Sequence, residues 1–257
     1  MRKTLTIILT VFIVSFLATA RVKANSLYGV PYDTYTMGAD GEVPTQTAYL
    51  PVGQFGIAAG LKSPQDIFYH DGRFYVADSG NKRVVVFDRE GAAEREYGSD
   101  EFRLPTGIYC RFDKIYVADK DAQTLFVISE TTGEIIRRIT KPDSPLFGQS
   151  NKFLPVKVAV DAAENIYIVG EGSTSGIIHV TGSGEFVGYV GINPVRFSLR
   201  KILYNFFVGE SGLASSRPPA PTNIALGSKG SVLTTNDNVR ETFKRINLQG
   251  SNTLRPE

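Results

Sequence analysis

The chain has no tryptophan, one cysteine, two histidines and two methionines in 257 residues. A single cysteine, Cys110, allows no intramolecular disulfide, so a buried core must hold the fold. Cysteine is among the most buried residue types, and Cys110 is expected to pack inward. His70 and His179 have no clustered partners in the sequence, so neither is expected to hold a metal, and no cofactor is implied. No charge of one sign dominates either, with 28 basic and 26 acidic residues. Four of the bases, Arg2, Lys3, Arg21 and Lys23, fall in the first 24 residues, leaving 24 against 26 beyond them. Nucleic acid is therefore not expected as a partner, since phosphate binding needs a clustered positive surface.

Long apolar runs are also missing beyond Leu5 to Ala20, and that run is shorter than the roughly 20 residues an untilted membrane helix needs. A basic start, this apolar run and small residues after it read as a secretory signal over residues 1–24. Cleavage fits after Ala20 or after Ala24, and the second leaves a polar stretch before the cut. The expected location is secreted or extracytoplasmic, with membrane association if the segment is kept.

What is present is a repeat. Leu61-Lys62-Ser63-Pro64-Gln65-Asp66-Ile67, followed by Phe74-Tyr75-Val76-Ala77-Asp78, recurs as Leu104-Pro105-Thr106-Gly107-Ile108 and Ile115-Tyr116-Val117-Ala118-Asp119. Pro64 to Pro105 and Tyr75 to Tyr116 are both 41 residues apart. A third copy runs from Leu154-Pro155 to Ile166-Tyr167-Ile168-Val169, and a more diverged fourth from Ala220-Pro221 to Val232-Leu233-Thr234. Each holds short β-branched and aromatic segments cut by turn residues. In the first copy, strands are expected at Asp66 to Tyr69, Arg73 to Ala77, Arg83 to Asp88 and Ala93 to Tyr97.

Four antiparallel strands per copy make a propeller blade, which stacks on its neighbours because one sheet cannot bury both faces alone. The expectation is an all-β propeller with blades at about 61–98, 102–139, 153–191 and 217–257. The stretch Tyr32 to Pro51, within a segment 25–60, is expected to give strands to a closing blade. The fourth copy breaks off where its outer strand should form, which reads as an incomplete propeller.

Leu104-Pro105-x-Gly107-Ile108, Tyr75-Val76-Ala77-Asp78-Ser79-Gly80-Asn81 and Arg83-Val84-Val85-Val86-Phe87-Asp88 resemble the NHL repeat. The second copy departs from it, with Lys120-Asp121-Ala122-Gln123-Thr124 in place of the usual Gly-Asn-x-Arg. The whole arrangement resembles exported NHL-repeat proteins of Gram-positive bacteria. The resemblance implies a propeller, usually six-bladed, that binds proteins, peptides or RNA on one face.

Between the third and fourth copies, Val195, Leu199, Ile202, Leu203 and Phe206 share a helical face while Arg196, Arg200 and Lys201 lie elsewhere. An inserted amphipathic helix is expected at about 194–209. It either packs on the propeller or touches a membrane surface through Val195 to Phe207.

No catalytic set stands out. Gly170-Glu171-Gly172-Ser173 and Gly182-Ser183-Gly184-Glu185 lack the Lys-Ser/Thr ending and helix of a phosphate loop and read as turns. The leading expectation is a non-enzymatic binding or scaffold module for a protein, a peptide or a cell-wall glycan. Its rim would lie in the loops after each second strand, at Asn81, Lys82, Arg83, Lys120 and Gln123. The alternative is a metal-dependent, lactonase-like hydrolase, in which Asp78, Asp119 and Glu171 would gather a cation on one rim. A third reading is a truncated remnant without activity.

Overall fold

The computed structural model describes residues 34–38, 41–45, 53–98, 100–173, 175–191, 220–227, 230–236, 242–247 and 252–254. The expected signal segment and inserted helix lie outside them. Two units are separated, Met1–Gln54 and Phe55–Glu257. The first holds β1 (Thr34–Gly38) and β2 (Gly41–Thr45), an antiparallel pair in register from Thr34↔Thr45 to Gly38↔Gly41. Two strands are thus present inside the stretch where they were expected.

The second unit is built of blades. The first blade is β3 (Asp66–His70), β4 (Arg73–Asp78), β5 (Arg83–Phe87) and β6 (Ala93–Gly98). The second is β7 (Pro105–Arg111), β8 (Lys114–Asp119), β9 (Thr124–Ser129) and β10 (Ile135–Ile139). The third is β11 (Pro155–Val160), β12 (Ile166–Gly170), β13 (Ile177–Val180) and β14 (Phe186–Val190). The fourth shows β15 (Pro221–Leu226), β16 (Val232–Asn236) and β17 (Phe243–Ile246), with a bridge from Ile246 to Asn252. Every sheet is a simple antiparallel meander. Among the described residues the fold is an all-β propeller of four blades, and the strand starts in the first blade fall where the sequence pattern set them.

Burial follows the alternation along each strand. Tyr75, Ala77, Val84 and Val86 face the second blade and close on Ile108, Cys110 and Phe126. Tyr116, Leu125 and Val127 repeat this against Val158 and Val160 of the third blade. Tyr167, Val169 and Ile177 do so against Val232 and Ile246 of the fourth. Cys110 is buried, as expected, and burial pushes its thiol well above the ordinary range. The first strands form the innermost row, β3 against β7, β7 against β11 and β11 against β15. They approach so closely at Gly107 that a Cβ there would lie 2.4 Å from the Val156 carbonyl oxygen.

The outer face of the first blade is covered differently. Ala59 and Leu61 pack on Val76, Val85 and Phe87. The Phe55 ring sits 5.1 Å from Phe74 and 5.2 Å from Phe87.

Hairpin turns set the register. Asp71 and Gly72 both have positive φ, 45° and 79°, in the two-residue turn joining β3 to β4. The corresponding turn from β7 to β8 puts Phe112 and Asp113 at 54° and 53°. That conformation favours Asn-Gly, and a bulky residue there is strained. Changing Phe112 to Asn together with Asp113 to Gly is expected to stabilise the fold by about 1 kcal/mol, read as a higher midpoint in urea.

Candidate functional site

The loops after the second strands begin at buried carboxylates. Asp78 has no exposed surface. Its Oδ1 accepts from the Lys62 backbone N–H at 2.6 Å, and its Oδ2 from Asn81 Nδ2 at 2.8 Å and Arg83 Nε at 2.9 Å. Asp119, equally buried, accepts from the N–H groups of Arg103 (2.7 Å), Leu104 (2.8 Å) and Ala122 (2.9 Å). Both carboxylates thus tie the chain entering a blade to the loop leaving its second strand. Removing Asp119 leaves three part-buried backbone donors without their acceptor, and Asp119→Ala is expected to cost about 3 kcal/mol in denaturant unfolding.

Glu171 does not share their place. Pro155 pairs with Gly170 as Pro105 pairs with Asp119, and the N–H of Glu171 bonds Leu154 O as that of Lys120 bonds Leu104 O. Glu171 therefore matches Lys120, and the expected equivalence with Asp78 and Asp119 is corrected by one residue. The register of Tyr167 with Tyr116 carries this signal in the sequence. The two matched residues meet across the seam, with Lys120 Nζ 2.8 Å from Glu171 Oε2. Among the described residues no three His, Cys, Asp or Glu side chains gather as a metal site.

Of the five residues expected on the recognition rim, two serve the scaffold. Asn81 also donates to Gly60 O at 2.9 Å. Arg83 reaches Ala59 O at 2.5 Å and Glu96 Oε1 at 2.7 Å. Lys82 and Gln123 remain exposed, each in a left-handed backbone position with φ of 55° and 54°. The rim therefore keeps Asn81, Lys82 and Gln123 exposed, Asn81 tied to Asp78 and Gly60, beside one ion pair.

The opposite end of the blades, where first strands turn into second strands, carries a cleft of about 510 Å³ between the first and second blades. In the second blade, Lys114 reaches across its seam to Glu164 Oε2 at 2.8 Å. Arg73 occupies the equivalent start of β4 but pairs within its own blade, with Glu94 Oε2 at 2.7 Å. The first seam is joined at this end by hydrogen bonds to Glu130 from Tyr75, Arg95 and Tyr97 in place of a cross-seam ion pair from Arg73. Into the gap β6 projects Arg95, whose terminal nitrogen donates to Glu130 O at 2.7 Å and to the Tyr97 hydroxyl at 3.2 Å. Tyr97 itself donates to Glu130 O at 2.6 Å. The Glu130 carboxylate is fixed by the hydroxyl of buried Tyr75 at 2.5 Å. Burial, reinforced by that bond to Glu130, pushes the Tyr75 phenol above its ordinary range, so it stays a donor. His70 and Asp113 complete the wall. Apart from His70, weighed only as a metal ligand, sequence reasoning passed over these residues; the run Glu94-Arg95-Glu96 in a short strand, charged on both faces, was the available signal.

The third seam holds the other histidine. His179 takes the position that Val86 and Val127 hold in the first two blades, opposite Tyr167, Tyr75 and Tyr116 in turn. Its ring stacks on Tyr167 at 4.9 Å, and among the described residues its buried Nε2 has no hydrogen-bond partner. Burial lowers the pKa of His179, with the Asp161 charge opposing. Burial also raises Tyr167, together with the charge of Asp161, to about 12. For Asp161, burial alone would raise the carboxyl, but bonds from Asn165, Ala163 and Tyr167 outweigh it and hold it below the usual range. The stability that neutral His179 allows is fully present above the unfolded imidazole value near 6.5 and is lost as pH falls from there toward the depressed folded value. His179→Val is expected to add about 1 kcal/mol and to flatten the fall in melting temperature from about pH 7 to about pH 5.

Residues 61–87 match the NHL repeat. No characterised protein matches the chain by sequence. Among solved structures, it is similar to hydrazine synthase of Kuenenia stuttgartiensis at 14% identity, with a TM-score of 0.52 over 76% of this chain and 49% of that one. Virginiamycin B lyase of Staphylococcus aureus gives 15% identity and a TM-score of 0.50 over 86% of this chain and 61% of the lyase. A Bacteroides caccae protein of unknown function gives 10% identity and 0.50, over 84% and 63%. The chain thus spans about half to three-fifths of the length of these structures. At such identities the likeness is one of fold. The chain thus carries an NHL repeat at residues 61–87 within a β-propeller fold.

Proposed function

We propose that the protein is an extracytoplasmic binding module that holds a protein, peptide or glycan ligand in the cleft between its first two blades. The observation that carries this is the pair Arg95 and Glu130, each fixed by neighbours before any ligand arrives. Groups held in place lose little freedom on binding, which is how a rigid scaffold gains affinity. The basic start and apolar run of the first 24 residues support the location. In this reading the module performs no chemistry, and Asp78 and Asp119 serve the loops that they tie. An exported module of this kind meets its ligand at or beyond the cell surface.

Labelled full chain titrated onto intact cells of the producing organism, and onto their isolated walls, tests this. Saturable binding is expected, lost in Arg95→Gln and kept in the double variant Lys82→Ser with Gln123→Ser. The opposite pattern would move recognition to the rim, and no binding by the wild type would sink the module.

A further inference from the structure

The chemistry of the cleft narrows its ligand, on the reading just given that this is the ligand site. Four carboxylates line it, those of Asp71, Glu94, Asp113 and Glu130, against two guanidiniums, those of Arg73 and Arg95. That balance repels an anion. An apolar ligand would take these charges out of water without offering them partners. Val86 and Tyr97 supply the little carbon surface there is.

Donors and acceptors lining one cleft suit a group that is both at once. A hydroxyl donates one hydrogen bond and accepts two. Adjacent hydroxyls on a sugar ring can accept from a guanidinium and donate to the carboxylate beside it. The cleft offers this combination twice. Arg73 and Glu94 lie 2.7 Å apart, both about half exposed. Arg95 is anchored through one terminal nitrogen to the Glu130 carbonyl, beside the Glu130 carboxylate that Tyr75 holds. Among the described residues, the other guanidinium nitrogens of Arg95 make no hydrogen bond and it has no ion pair with a carboxylate. A volume of about 510 Å³ is within the range of small-molecule sites.

We propose that this cleft binds a neutral saccharide, taking adjacent hydroxyls between Arg95 and Glu130 and between Arg73 and Glu94. A neutral ligand makes binding nearly independent of salt, whereas a basic peptide drawn by the surplus carboxylates would be released by it.

Calorimetric titration of the full chain with chitotetraose, cellotetraose, maltotetraose and hexalysine, at about 50 mM and about 500 mM salt, separates the two. At least one oligosaccharide is expected to bind with less than about a twofold change between the salts. Arg95→Gln and, on the exposed strand end, Arg73→Gln should each weaken it at least about tenfold, with unchanged melting temperature as the control for folding. Three results overturn the proposal: no oligosaccharide binding by the wild type, binding that neither variant weakens, or salt-suppressed hexalysine binding in place of the sugars. If the wild type still binds cells in an Arg95-dependent way while no oligosaccharide binds, the saccharide is wrong and the binding module stands. If both fail, the module falls with it.

Discussion

Replacing Gly107 with valine is expected to cost about 3 kcal/mol or more, enough to leave much of the protein unfolded at ordinary temperature. The reason is backbone, and a neighbouring side chain cannot step aside. A Cβ at Gly107 would meet the Val156 carbonyl oxygen at 2.4 Å and the Lys157 Cα at 2.9 Å, both in the innermost strand of the next blade. To make room, β7 and β11 must part. That separation would also disturb neighbouring contacts at the axis, where Asp66 Oδ2 accepts from the Ile108 N–H at 2.9 Å and Lys157 Nζ lies 2.8 Å from Asp66 Oδ1. Gly98 in β6 is the control, because among the described residues nothing lies within 4 Å of its Cβ position. Gly98→Ala should stay within about 0.5 kcal/mol of wild type. Urea unfolding followed by tyrosine fluorescence reads both.

Ile108→Ala is expected to cost about 2–4 kcal/mol, whereas Ile67→Ala should cost less than about 0.5 kcal/mol. These two isoleucines are the same residue of the repeat, 41 positions apart. Ile108 is 2% exposed because the first blade covers it, and Ile67 is 55% exposed. The next position on that face behaves alike, with Cys110 at 1% and Tyr69 at 49%. The third blade again buries the matching Val158 and Val160. A large-to-small change costs transfer energy and leaves a cavity only where neighbours surround the lost atoms. Equal costs at the two positions would mean that Ile67 is covered in solution.

The fold was legible because its signals are local. Asp66-Ile67-Phe68-Tyr69, the Asp71-Gly72 turn and the repeat of Tyr75 at Tyr116 and Tyr167 mark strands and register without reference to distant residues. The site was less so. Asn81 and Arg83 look like free polar loop residues in sequence, yet their bonds go to Gly60 and Ala59, more than twenty residues earlier. Glu171 looked equivalent to Asp119 because it is the first acidic residue after its second strand, but Gly170 holds the place of Asp119, opposite Pro155 as Asp119 lies opposite Pro105. The cleft depends on which way one long side chain turns. Lys114 crosses its seam to Glu164 while Arg73 stays with Glu94, and no spacing along the chain distinguishes them.

A photoreactive side chain placed at Thr131, on the wall of the cleft, and separately at Lys82, on the opposite rim, tests the place of recognition most directly. With the full chain bound to cells of the producing organism, the Thr131 probe should form a covalent adduct with the ligand, diminished by excess unlabelled protein, while the Lys82 probe forms none. Adduct at Lys82 with none at Thr131 would contradict the cleft as the recognition surface.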